Sequence, residues 1–124
     1  MKILLKRLAT YKQCLHGRLY IAGEYVCDTL ERVGNCLMPG VYSLARRKKA
    51  VLESKRVLPS FWPTNGPYNL PSGGIAVGEW HHLGYLVHCE ASYLPLMERL
   101  RLAKSRKTDV TLYIQDAISD EMRF

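Results

Sequence analysis

The stretch from Ser92 to about Lys104 carries the best amphipathic helix signal in the chain, and the segments around it read mostly as short strands. Tyr93, Leu96, Met97, Leu100 and Ala103 recur at helical spacing and line one side of such a helix. Ser92 is placed to cap the first turn with its hydroxyl. Pro95 falls in that turn, where a missing N–H does no harm. Arg99, Arg101, Lys104 and Arg106 lie off the apolar stripe, toward the end whose carbonyl dipoles favour cations.

Before this helix the pattern shortens to strand lengths. "KILLKRLATY" reads as a strand, "CLHG" (Cys14 to Gly17) as a turn, and "RLYIAGEYVCDTL" as a hairpin broken at Ala22-Gly23-Glu24. In that hairpin Leu19 and Ile21 share one face, and Tyr20 the other. Pro39-Gly40 marks a tight turn that leads Val41, Tyr42 and Leu44 into the next strand. Ala50 to Leu58 fits either a return strand or a short helix. Pro59 to Gly74 holds four of the six prolines and three of the nine glycines, so it reads as a long surface loop. Phe61, Trp62 and Tyr68 are expected to anchor it to the core. "GIAVGEW" and "LGYLVHC" read as two strands around Trp80-His81-His82. "DVTLYIQ" alternates Val110, Leu112 and Ile114 as a final strand, and residues 117–124 form a tail. These readings predict one α+β, β-rich domain over residues 1–124. It is a small, mostly antiparallel, barrel-like sheet with one main helix at about 92–104.

With 124 residues, 48% hydrophobic and 23% charged, the chain suits an ordinary globular domain without disulfide staples. Its apolar runs are too short for a membrane span, and the start lacks the hydrophobic region of a secretion signal. A chain without a secretion signal is expected in the cytoplasm. Cys14, Cys27, Cys36 and Cys89 form no C-x-x-C pair and are expected as free thiols, Cys27 as a small buried hydrophobe. The formal net charge is +7. It concentrates at Arg46, Arg47, Lys48 and Lys49 and on the helix at Arg99 and Arg101. Such a patch suits nucleic acid, anionic lipid or another acidic polymer. No aromatic residue interleaves with the first run, which argues against stacking on bases there.

The chemistry concentrates in "GIAVGEWHHLGYLVHC", Gly74 to Cys89, where three histidines and a cysteine fall within one strand pair. Upstream, Gly17, Leu19, Gly23, Cys27, Thr29, Leu30 and Glu31 are spaced as G-x-L-x-x-x-G-x-x-x-C-x-T-L-E, followed by Pro39-Gly-x-Tyr42. From about Leu4 to Leu102 this order of motifs resembles a domain family of unknown function common in phages and prophages. That family looks like a shortened relative of the L,D-transpeptidase catalytic domain. Its typical members carry a histidine in an "I-x-I-H-x-G" strand and a cysteine in a following "G-C-I" strand. The resemblance implies an imidazole that draws a thiol proton and a thiolate that attacks an acyl carbon.

Gly78 stands at the histidine place here, and Tyr85 at the cysteine place. Glycine offers no base, and a phenol with a pKa of about 10 is a poor thiol substitute. The resemblance therefore implies a degenerate site on a retained scaffold. No catalytic residue, metal or cofactor is expected, and Gly78, Trp80, His82 and Tyr85 would line the old cleft. The protein would be a non-catalytic module contacting a protein partner, in a virion or injection apparatus, or a cell-wall peptide. Two other readings stay open. Cys89 with His82 or His88 would make a repositioned acyl transferase or peptidase acting on peptidoglycan. The basic patch would make a nucleic-acid-binding module. His81, His82, His88 and Cys89 are also zinc-capable types, but neighbours on a strand point to opposite faces.

Overall fold

The computed structural model describes residues 1–44 and 58–116. Strands β1 (Lys2–Tyr11), β2 (Cys14–Ile21) and β3 (Glu24–Arg32) form an antiparallel meander. Each joint is a two-residue turn in the left-handed region: Lys12 and Gln13 at φ 48° and 66°, then Ala22 and Gly23 at 53° and 83°. Such turns match the right-handed twist of the strands they join. The expectation of a turn at Cys14–Gly17 is corrected, because those residues are the first half of β2. The reversal lies just before them, at two residues without the glycine that would have marked it.

The rest of the sheet forms on both sides of this meander. β6 (Gly74–His81) runs antiparallel to β3, β5 (Ser60–Trp62) parallel to β6, and β7 (Tyr85–Val87) antiparallel to the end of β6. On the other side β8 (Thr111–Asp116) runs parallel to β1, and β4 (Gly40–Ser43) antiparallel to β8. The strand order is β4-β8-β1-β2-β3-β6-β5, with β7 attached to β6. The sheet curls into a half-barrel and, among the described residues, carries one helix, α1 (Cys89–Ser105), which gives the expected β-rich α+β architecture.

Strand alternation places Ile3, Leu5, Leu19, Ile21, Leu112 and Ile114 on one face, where Leu96 and Ala103 of α1 meet them. Tyr93, Met97 and Leu100 pack half-buried around that contact, so the apolar stripe of the helix does the work its spacing indicated. Cys27 is buried in this core, and burial pushes its thiol pKa up to about 12.

The start of α1 differs from expectation. The helix begins at Cys89, and His88 before it is left-handed at φ 52° with no side-chain cap. A tight reversal out of β7 needs that backbone, and it sets the first turn three residues ahead of Ser92. Pro95 consequently lies inside the helix, where it removes a backbone hydrogen bond.

The Pro59–Gly74 stretch contains β5 and is held mainly by polar tethers. Phe61 is buried, and Tyr68, though its ring is exposed, accepts a hydrogen bond from the buried Cys14 thiol at 3.4 Å, whereas Trp62 is exposed and donates to Ser60 nearby. The Asn65 side-chain amide donates to the Leu86 carbonyl at 2.6 Å, and the Asn65 carbonyl accepts from the Leu86 N–H at 2.8 Å. The readings for Arg46 to Lys49, for residues 50–57 and for the tail at 117–124 fall outside the described residues.

Candidate functional site

The face of β2, β3 and β6 turned away from the main core carries a second, smaller cluster. Cys14, Leu30, Ala76 and Leu86 are buried there, with Leu70, Trp80 and Cys89 packed against them. Gly78 sits opposite Asp28 in the β3–β6 register. A β-carbon on Gly78 would stand 2.9 Å from the Val87 carbonyl, 3.0 Å from Leu86 Cβ and 3.1 Å from Cys89 Sγ. The absence of a side chain at residue 78 is thus what lets β7 and the start of α1 close over β6.

Cys89 does not continue the strand beyond Tyr85 as its sequence position suggested. The left-handed His88 turns the chain, so Cys89 opens α1 and its sulfur comes to rest against Gly78. The Asn65 amide approaches that sulfur at 3.9 Å, and burial raises the thiol pKa above its ordinary value. No imidazole joins it among the described residues. His88 Nδ1 lies 3.3 Å from Glu79 Oε1, with both side chains exposed. His82 stacks on His81 at 4.3 Å between ring centroids, and His81 stacks on Tyr85 at 4.6 Å. The Leu83 N–H donates to His81 Nδ1 at 3.1 Å, which fixes that ring at the hairpin tip.

The four expected cleft residues therefore do not line one cleft. Gly78 is buried beneath Leu86 and Cys89, His82 and Tyr85 belong to the stacked hairpin tip, and Trp80 belongs to a third group. The sequence pattern does not announce that group, because His16 falls within the stretch expected as a turn. His16 is buried on β2, its ring parallel to that of Trp80 at 4.1 Å, with Nε2 3.3 Å from Asp28 Oδ1. Asp28 also accepts from the Tyr25 hydroxyl at 3.0 Å and the Trp80 N–H at 2.9 Å, and Arg18 Nε lies 3.6 Å away. Burial alone would raise the Asp28 pKa. The hydrogen bonds from His16, Trp80 and Tyr25 outweigh burial and hold it below the ordinary carboxylate value. Burial and the neighbouring Asp28 charge together push the Tyr25 phenol well up. The available signal is alternation: with Cys14 in a strand, His16 and Arg18 share its face, Arg18 opposite Asp28 and His16 opposite Leu30, diagonal to Asp28.

Chemically, this face offers a stabilised carboxylate, a stacked imidazole and a thiol that no base touches among the described residues. Among the described residues no group of three His, Cys, Asp or Glu side chains is arranged to hold a metal ion. On α1, Arg99 and Arg101 are exposed, and Arg101 is bound through two nitrogens to Glu98 at 3.0 and 2.6 Å. No described helix is long and apolar enough to cross a membrane. Comparison with protein-family models, curated proteins and solved structures found no match.

Proposed function

We propose that this chain is a non-catalytic binding or structural module on an L,D-transpeptidase-like scaffold, encoded by a phage, prophage or similar mobile element. The scaffold and its origin rest on the motif resemblance between Gly17 and Tyr42. The single observation that carries the chemical part is the setting of Cys89, whose sulfur meets Gly78 and the Asn65 amide. Cysteine chemistry needs a thiolate, and a thiolate at neutral pH needs a lowered pKa or an adjacent base. Burial moves Cys89 the other way, and the nearby histidines are engaged with Glu79, Tyr85 and one another. On this reading the module contacts a protein partner of a virion or injection apparatus, or a cell-wall peptide, without turning it over. To test it, the protein is incubated with cell-wall stem peptides and a thioester acyl donor, and products are followed by mass spectrometry. The expected result is no product above the buffer control. Turnover that disappears in Cys89→Ala would establish a cysteine acyl transferase or peptidase instead.

A further inference from the structure

The open half of the same sheet face carries a pattern that its covered half lacks. Val41 of β4 lies opposite Tyr113 of β8, and Tyr113 lies opposite Leu4 of β1. Leu4 in turn lies opposite Tyr20 of β2, and Tyr20 opposite Tyr25 of β3. Laterally paired residues share a face, so these five side chains form one row across five strands. Four strand spacings of about 4.8 Å make the row about 19 Å long. The residues alternating with them, such as Ile3, Leu5 and Leu112, form the core, which turns the row away from α1. Val41 is 64% exposed and Tyr25 52%, while Leu4, Tyr20 and Tyr113 are half-buried.

Cations flank the row on both sides. Lys2 and Lys6 stand two residues before and after Leu4 on β1, each about 7 Å along the strand. The Lys2 ammonium lies 4.8 Å from the centre of the Tyr113 ring. Lys6 lies directly opposite Arg18. Like charges placed opposite on adjacent strands repel, so this arrangement opposes folding, and an anion between the two would relieve it. Among the described residues neither Lys2 nor Lys6 has a carboxylate partner. Asp28, the acid nearest Arg18, is already shared with His16, Tyr25 and the Trp80 N–H.

Three tyrosines in one row, with Leu4 between Tyr113 and Tyr20 and cations on either side, suit an unpaired nucleic acid strand. Every base has a π-face to stack, and each phosphate brings one negative charge. An acidic peptide would satisfy the cations but offers the tyrosines no succession of flat faces. We infer that this face binds single-stranded nucleic acid, with bases stacking on Tyr113 and Tyr20 and phosphates meeting Lys2, Lys6 and Arg18. The inference is independent of the chemistry at Cys89.

The test is fluorescence anisotropy of the full chain with a labelled oligothymidylate of about 20 nucleotides, longer than one sheet face engages. At about 50 mM salt binding is expected to saturate, and at about 200 mM it weakens steeply. Tyr113→Leu and Tyr20→Leu keep apolar bulk, and each is expected to weaken binding about five-fold or more. Lys6→Gln removes a repulsion, so it retains the fold by circular dichroism while reducing the salt slope by about one. Absence of binding at the lower salt overturns the inference. So does equal affinity for polyglutamate or duplex DNA. Binding that ignores all three sheet variants and is lost on neutralising Arg46 to Lys49 overturns it as well.

Discussion

Glu31 and Asp28 stand three residues apart on β3, face opposite sides of the sheet, and are stabilised by different means. Glu31 is 1% exposed on the core face, bound through two oxygens by Arg7, with Arg7 Nε and Nη2 at 3.0 and 2.8 Å. Arg7 is equally enclosed: it donates to the Leu37 carbonyl at 2.6 Å and lies 3.5 Å from Asp116. Burial pushes the Glu31 carboxyl up, and the hydrogen bonds and charge of Arg7 return only part of that shift. Asp28 lies on the opposite face, against an imidazole, a phenol and a backbone N–H, and ends below its ordinary value. A carboxylate locked to one guanidinium inside an apolar core holds strands in place. Asp28, also buried, is held by several separate donors rather than by one guanidinium.

The largest effect that would break this contrast is on the core face. Arg7→Met leaves Glu31 buried without its counter-charge, and the expected loss is about 3–5 kcal/mol in urea unfolding. Adding Glu31→Leu to the same chain is expected to recover most of that loss, because two apolar side chains need no partner. A single-variant loss under about 1 kcal/mol would show that Arg7 and Glu31 are not a structural pin.

Asp28→Asn is expected to lower stability by about 1–3 kcal/mol, since hydrogen bonds to a charged acceptor become bonds to a neutral one. Its pH signature sharpens the contrast. Because the folded pKa of Asp28 is depressed, its stabilisation is present above the ordinary carboxylate pKa of about 3.9 and is lost as pH falls through the folded value. Glu31 has the opposite sign: its raised folded pKa gives a contribution fully present below about 4.3 and lost as pH rises through the folded value. Urea unfolding of both chains between about pH 2 and pH 5 reads the difference. The Asp28→Asn chain is expected to lose less stability on acidification than the parent. An unchanged acid limb would remove Asp28 from the linkage.

Features set by alternation and helical period were legible in the sequence. The α1 stripe, the Leu19–Ile21 face and the burial of Val110, Leu112 and Ile114 match the sequence pattern, because burial of one face dictates each, and Gly23 marks the Ala22-Gly23 turn. Left-handed backbone angles at residues without a neighbouring glycine were not legible. Lys12 and Gln13 form a tight turn without glycine, and missing it moved His16 off the strand that carries it to Asp28. His88 adopts a left-handed backbone that no local residue announces, and it alone relocates Cys89 from a strand to the first residue of a helix. The aromatic row was illegible for another reason. Its members are scattered from Leu4 to Tyr113, and the successive pairings of β4, β8, β1, β2 and β3 bring them together.

The most direct measurement is the rate at which iodoacetamide alkylates Cys89 in the native protein near neutral pH, resolved by peptide mass spectrometry from Cys14, Cys27 and Cys36. A protonated thiol resting on Gly78 should react no faster than free cysteine, whose pKa is about 8.5, and buried Cys27 should stay unlabelled until the chain unfolds. Alkylation of Cys89 far faster than free cysteine, with a midpoint below that value, would reveal a thiolate and contradict a chemically silent site.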